Sequence, residues 1–218
     1  MGAITRAAAN NITTGGVILP AGINDASVAS VTELAQVSAG DGITLISSQT
    51  ASSSATIDIT SGIDSTYRTY LIKFINLHPS ENGSVLQFNF STDGGSNYNV
   101  TKTSTTFNAY HNEADTDTSL GYYASQDLAQ STASQNIAGS IGSDNDSGST
   151  GYMYLFNPSS NIYVKHFFGI NSYMDTYPYT NQVYFAGYAN TTSAINAFRI
   201  KMNQGNIDDG TVQLYGIA

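Results

Sequence analysis

The chain has 218 residues, which is enough for one large domain or for a domain with an appended arm. Seven Lys and Arg against sixteen Asp and Glu give a formal charge of −9, which argues against DNA, RNA and anionic membranes as partners. There is no cysteine, so disulfides and thiolate metal sites are excluded. No apolar run approaches the ~20 residues of a membrane helix, and we therefore predict no membrane insertion.

Residues 1–50 differ in composition from the rest of the chain. They contain no Tyr or Phe and are rich in Ala, Asn, Gly, Ser and Thr. Within them, "DASVASVTELAQV" is compatible with a short helix that begins at Asp25 and has Val28, Val31 and Leu34 at a spacing of three. We predict an extended N-terminal docking arm over residues 1–50, which packs on a neighbouring molecule.

From residue 51 onward the pattern is that of β-strands. Apolar and polar side chains alternate in short segments such as "SVLQFNF" and "GYMYLFN", and no segment shows helical periodicity. The segments are separated by turn residues, and the Asn-Gly pair of "HPSENGS" and the Gly-Gly pair of "STDGGSN" predict tight turns. Short turns join strands that pair in antiparallel fashion. We therefore predict an all-β domain over residues 51–218, an antiparallel β-sandwich or jelly roll of about nine or ten strands.

The stretch "YHNEADTDT" places a histidine beside several carboxylates. In an extended segment His111, Glu113, Asp115 and Asp117 would share one face, because side chains alternate with a period of two. A hard cation such as Ca²⁺ takes oxygen ligands of this kind, so these four residues are a candidate metal site. Side chains along a straight strand do not converge on one ion, however, and this favours an acidic loop at a sheet edge or subunit boundary. Apart from this Ca²⁺ candidate, no cofactor is predicted.

Tyrosine is concentrated in "YMDTYPYTNQVYFAGY", residues 173–188. Its ring offers a flat apolar face and a hydroxyl group at low entropic cost, which suits sugar stacking and subunit interfaces. Tyr173, Tyr177, Tyr179 and Tyr184 are therefore candidate contacts for a glycan or for another subunit.

His166 lies in "NIYVKHFFGI", where the alternation places it on one face with Ile162, Val164, Phe168 and Ile170. We predict that this apolar face is buried. His166 is then a packed, hydrogen-bonded histidine in the core or at a subunit interface.

Sequence signatures of catalysis are absent. The chain has no G-x-S-x-G motif, no H-E-x-x-H motif and no Gly-rich phosphate loop. The carboxylate pair of a glycosidase has no local motif, but solvated surface carboxylates account for all those present. We predict that the protein is not an enzyme.

Four longer segments, together with the N-terminus, carry a resemblance to a known group. The segments are "TASSSATIDITSGIDSTYRTYLIKFINLHP", "FNAYHNEADTDT", "LFNPSSNIYVKHF" and "GYANTTSAINAFRIKMNQGNIDDGTVQLYGIA". They resemble virion structural proteins of tailed phages that infect aquatic bacteria, of the tail-fibre or head-decoration type. The opening "MGAITRAAANNIT" is similar to the short segments by which such proteins attach to the particle. The resemblance implies a β-sandwich or jelly-roll module that is often trimeric and has no enzyme activity, and it supplies no functional residues.

Two functions remain open on these observations. The first is a non-enzymatic virion protein, capsid-decorating or a fibre component, which is assembled in the host cytoplasm and exposed on the particle surface. Residues 1–50 would attach it to other virion proteins, and a homo-oligomeric sandwich, preferably a trimer, would make weak multivalent contact with host surface polysaccharide. The second is a monomeric carbohydrate-binding module or lectin that uses the Tyr-rich loop 173–188.

Overall fold

The computed structural model describes residues 42–218, which contain twelve β-strands and one short 3-10 turn at Ala124–Gln126. The strands are β1 (Ile43–Thr50), β2 (Ile57–Ile59), β3 (Thr69–Pro79), β4 (Leu86–Ser91), β5 (Lys102–Asn112), β6 (Thr118–Tyr122), β7 (Gln135–Asn136), β8 (Ser149–Phe156), β9 (Lys165–Met174), β10 (Tyr179–Ala189), β11 (Ala197–Met202) and β12 (Ile207–Ile217). Neighbouring strands pair in antiparallel fashion, as the short turns predict.

The strands form two sheets. The large sheet has eight strands in the order β1-β12-β3-β8-β9-β10-β5-β6, and the small sheet has four in the order β2-β11-β4-β7. The last strand, β12, lies between β1 and β3, which come from the start of the described sequence. The facing sides of the two sheets enclose one hydrophobic core. The prediction of an all-β antiparallel sandwich is confirmed.

The centre of the core is a cluster of phenylalanines contributed by both sheets. The ring of Phe88 on β4 lies 5.4 Å from that of Phe167 on β9 and 5.7 Å from that of Phe198 on β11, between centroids. All three rings are buried, and burial of a phenylalanine contributes about 1.5–3 kcal/mol to folding. The cluster therefore fixes which faces of these strands point inward.

Two turns that the sequence predicts are formed by glycines with positive φ. Gly83 has a φ of 81° after β3, and Gly95 has a φ of 91° after β4; glycine adopts such angles at no steric cost. Asp93 braces the second turn, because its Oδ1 accepts hydrogen bonds from Ser91 Oγ at 2.6 Å and from the Asn97 N–H at 2.8 Å. These bonds, the one from Ser91 above all, lower the pKa of Asp93 to about 2.

Two lysines are buried within the domain. Lys102 Nζ donates to Asn89 Oδ1 at 2.6 Å and to the Val100 carbonyl at 2.8 Å, while Lys165 Nζ donates to the Thr191 carbonyl at 2.9 Å. Burial lowers the pKa of both amino groups, to about 7 for Lys102. Hydrogen bonds to neutral oxygens thus allow the two lysines to occupy buried positions.

The boundary of the predicted arm is wrong by one strand. Ile43–Thr50, assigned to the arm, form β1 at the edge of the large sheet and pair with β12. The sandwich therefore begins before residue 51. Main-chain hydrogen bonds hold this strand in the sheet although it carries no aromatic side chain. The remainder of the predicted arm, including the helix at Asp25, lies outside the described residues.

The predicted faces of β9 are reversed. Lys165 and Phe167 point into the core, and His166 and Phe168 point outward. Both faces of the strand carry large apolar side chains, so alternation alone does not identify the buried one. Of the two positions predicted for His166, the core is wrong because the residue is exposed, and the subunit interface stays a prediction.

Candidate functional site

The outward side of the large sheet carries a continuous group of aromatic side chains, which we call the aromatic face. Cross-strand pairing places Tyr154 opposite Phe168 and Tyr184 opposite Phe107. In the cross-strand pairing, Ile170 lies directly between Tyr152 on β8 and Tyr184 on β10. It therefore connects the Tyr154–Phe168 pair with the Tyr184–Phe107 pair. The face consists of Phe107 on β5, Tyr152, Tyr154 and Phe156 on β8, Phe168 and Ile170 on β9, and Tyr184 on β10.

The rings of the aromatic face pack against one another and leave their outer surfaces free. Phe107 and Tyr184 stack with centroids 4.7 Å apart and an angle of 6° between their planes. Phe168 lies 5.4 Å from Tyr154 and 5.5 Å from Phe156. Even so, Phe107 remains 43% exposed and Phe168 46% exposed. Exposed apolar patches of this kind on a soluble domain mark interaction sites.

The aromatic face lies on strands that carry no negative charge. None of β3, β5, β8, β9 and β10 contains Asp or Glu, although the chain as a whole has a net charge of −9. The strands that carry the aromatic face therefore contribute no carboxylate to its surface.

His166 borders the aromatic face. It is exposed, and its ring lies 6.2 Å from that of Tyr188 on β10. The structure thus places His166 beside an apolar surface, where its interface role remains a prediction.

A second feature, the tyrosine cleft, lies on the opposite side of the large sheet. It is lined by residues of β5, β9 and β10 and of connecting segments near them, and it has a volume of about 490 Å³. Alternation along β10 places Tyr179 and Asn181 on this side and Tyr184 on the other. The cleft is lined by five tyrosines, two asparagines, two aspartates and a serine: Tyr110, Tyr123, Tyr173, Tyr177, Tyr179, Asn108, Asn181, Asp117, Asp175 and Ser140.

Hydrogen bonds and packing hold the walls of the cleft in place. Tyr179 Oη donates to Asp117 Oδ2 at 2.9 Å, and this bond raises the pKa of the Tyr179 hydroxyl. The ring of Tyr110 lies 5.7 Å from that of Tyr179 at an angle of 72°. Tyr173 is buried, which raises the pKa of its hydroxyl. Tyr177 stands at the mouth of the cleft and is 70% exposed.

The four tyrosines predicted as contacts are divided between the two features. Tyr173, Tyr177 and Tyr179 line the cleft, whereas Tyr184 stacks on Phe107 in the aromatic face. The sequence does not predict that Tyr110 lines the cleft, because β5 is distant in sequence from residues 173–188 and no spacing rule connects the two segments. Tyr123, which follows β6, was missed because it too is distant in sequence from residues 173–188.

The four residues of the candidate metal site lie at or next to the turn between β5 and β6 and do not converge on one point. His111 Nε2 is 3.0 Å from Asp115 Oδ1, whereas Asp117 binds Tyr179. The Glu113 N–H donates to the Pro178 carbonyl at 2.9 Å. Within residues 42–218 no three His, Cys, Asp or Glu side chains lie close enough together to hold a metal ion. The assumption of a straight strand fails because the chain reverses after Asn112.

His111 and Glu113 also line a wider groove of about 840 Å³ at the same end of the large sheet. Its other titratable residues include His78, Asp146 and Asp209. His78 Nε2 lies 3.1 Å from the Asp144 carbonyl oxygen, so this ring contributes to the fold of the adjoining loop.

The fold and these two features define a β-sandwich with one aromatic face and one tyrosine-lined cleft. Between residues 42 and 218, no helix has the length and apolar character needed to cross a membrane. In comparisons with protein-family models, curated proteins and solved structures, the chain matched none. The resemblance to phage virion proteins therefore stays a prediction.

Proposed function

We propose that the chain is a non-enzymatic structural protein of a phage virion, a capsid-decorating or fibre component whose copies associate through the aromatic face. The observation that carries the association is the exposed, carboxylate-free group of rings centred on Phe168 and Tyr184. The virion assignment draws on the sequence resemblance, and so does the choice of a trimer.

Burial of the aromatic face supplies a driving force for association. Each aromatic side chain transferred from water contributes about 1.5–3 kcal/mol when fully buried, and the exposed fractions of Phe107 and Phe168 are available for this. Aromatic residues are enriched at the centres of protein interfaces, where charged residues are depleted. Closed symmetric assembly of identical copies would cover the face on every subunit. His166 then lies at the rim of the contact.

Attachment to the particle is assigned to the N-terminal segment. Because Ile43–Thr50 belong to the large sheet, the sequence that remains for contact with other virion proteins is residues 1–42. We expect protease to cleave before residue 43 in the free protein and to be excluded from this segment in the particle. Equal cleavage in both states would contradict attachment by this segment. Failure to find the chain in purified particles by mass spectrometry would overturn the virion assignment.

Light scattering after size-exclusion chromatography tests the association. The wild type is expected to have the mass of a trimer. Phe168→Asp places a carboxylate in the aromatic face and should give a monomer with an unchanged circular dichroism spectrum. Tyr177→Asp is the matched control, because it puts the same charge on an exposed aromatic position on the other side of the sheet. A wild type that stays monomeric at all concentrations, or a trimeric Phe168→Asp variant, would refute assembly through this face.

A further inference from the structure

We propose that the tyrosine cleft is a binding site for an uncharged saccharide. The site goes beyond the structural role proposed above and does not depend on it. Tyr110, Tyr173 and Tyr179 point to the core side of the large sheet, whereas Phe168 and Tyr184 point to the other side. Association through the aromatic face would therefore leave the cleft open.

The size and lining of the cleft suit a short carbohydrate. Its volume of about 490 Å³ falls within the roughly 300–1,000 Å³ of small-molecule sites. Sugar rings have apolar faces that pack flat on aromatic rings, and Tyr177 presents such a surface at the mouth, 70% exposed. Tyr110 and Tyr179, set edge to face, form a wall further in.

The polar groups of the cleft match hydroxyl groups. Asp175 is the central acceptor: its Oδ1 accepts from Thr176 Oγ1 at 2.9 Å and its Oδ2 lies 3.4 Å from Asn181 Nδ2. A carboxylate has about four acceptor positions, so Asp175 retains capacity for ligand hydroxyls. Asn108 and Asn181 each add an amide that both donates and accepts. A ligand rich in neutral O–H groups pairs with this mixed set.

The charge of the cleft selects against anionic sugars. Asp117 and Asp175 both line it, and among the described lining residues none is Lys, Arg or His. Carboxylate, sulfate or phosphate groups on a ligand would meet like charge without a compensating cation. The cleft therefore favours neutral oligosaccharides over uronic acids or sialylated glycans.

The site is also formed in advance of binding. Tyr179 is fixed by its bond to Asp117 and by the Tyr110 ring, and Tyr173 is buried. Side chains that are already ordered lose little conformational entropy when a ligand binds.

Saturation-transfer NMR with the full chain provides the test. The neutral probes are the trisaccharides maltotriose, cellotriose and triacetylchitotriose, and the anionic probes are sialyllactose and trigalacturonic acid. We expect a signal from at least one neutral probe and none from the anionic ones. Tyr177→Ala should weaken the binding by about tenfold or more, the effect of one lost aromatic contact of about 1.4 kcal/mol.

Tyr163→Ala is the matched control for Tyr177→Ala. Tyr163 is 67% exposed and precedes β9, whereas the cleft lies at the other end of that strand. This variant should bind the neutral probe like the wild type. Phe168→Asp, if monomeric, should also keep the intrinsic affinity for the neutral probe. Failure of trimer formation and failure of saccharide binding are therefore distinguishable. No binding of any neutral probe, stronger binding of an anionic one, or equal loss in the Tyr163 control would overturn the proposal.

Discussion

Replacement of Phe167 or Phe168 by Ala is expected to have very different effects, although the two residues are neighbours in β9. Phe167 is 2% exposed, and its ring lies 5.4 Å from Phe88 and 5.7 Å from Phe90 in the core. Phe168 is 46% exposed and contacts Tyr154 on the outward side of the large sheet. The two variants therefore make the same chemical change on opposite sides of one sheet.

The structure sets the expected size of each effect. Phe167→Ala removes a buried ring and leaves a cavity between the sheets, which costs about 3–5 kcal/mol in the free energy of unfolding. Domains of this kind are stable by about 5–15 kcal/mol in total, so this variant should be close to unfolding. Phe168→Ala should cost about 1 kcal/mol in the monomer, because roughly half of the ring is already in water and no cavity forms.

Urea unfolding followed by circular dichroism and tyrosine fluorescence measures both losses; the chain contains no Trp. The comparison requires dilute protein, because association through the aromatic face would add a concentration-dependent term to the stability. At high concentration the loss for Phe168→Ala should increase, while the loss for Phe167→Ala measured against the same wild type should change little. If Phe168→Ala costs as much as Phe167→Ala in dilute solution, the inward and outward faces of β9 are assigned wrongly.

Two further predictions concern stability. The pKa of Lys102 falls from 10.5 to about 7 on folding, so between these values the unfolded state binds more protons and the free energy of unfolding rises with pH. In thermal melts between pH 7 and pH 10, Lys102→Met should remove the part of the rise in stability that comes from this amino group. Lys201→Met, at a partly exposed position, is the control and should keep the rise. Identical pH profiles for both variants would contradict the buried-amine assignment. A Cβ at Gly169 would overlap a backbone carbonyl of the neighbouring strand and the ring of Phe185, so Gly169→Ala should cost about 1–3 kcal/mol in urea unfolding. Gly121→Ala, with no atom within 4 Å of the added group, should cost less than about 0.5 kcal/mol, and a similar loss for both variants would contradict the steric argument at Gly169.

The fold class was predictable because alternation and turn chemistry are local signals. Strand β4 reads directly as apolar Leu86, Phe88 and Phe90 with polar residues between them, and all three apolar residues are buried. The turn at Gly83 likewise follows from an Asn-Gly pair. Which face of β9 is buried was not predictable, because the inward position of Lys165 depends on the Thr191 carbonyl, which only the tertiary structure supplies.

The two candidate sites were predictable only in part. The tyrosines of 173–188 are identified by their density, but the contact of Tyr179 with Tyr110 depends on the pairing of β10 with β5, which only the tertiary structure supplies. A straight strand over the acidic stretch after His111 would place its carboxylates on one face. In the structure Asn112 Oδ1 accepts from the N–H groups of Thr116 and Asp117 at 2.9 and 3.0 Å and closes the turn. Asn side chains commonly make such bonds to nearby backbone N–H groups. Because the chain is rich in Asn, the sequence alone does not indicate which Asn closes a turn.

The position of β12 between β1 and β3 has a consequence for how the protein is made. Thr50 and Thr211, which face each other across the β1–β12 pair, are 161 residues apart in the chain. During synthesis β1 and one edge of β3 therefore remain without their partner until β12 has emerged. Topologies dominated by such distant pairings fold slowly and expose unpaired strand edges while they do so. Expression at low temperature should therefore raise the soluble yield, and removal of residues 207–218 should leave a chain that aggregates, because β1 would lose its only strand partner among the described residues.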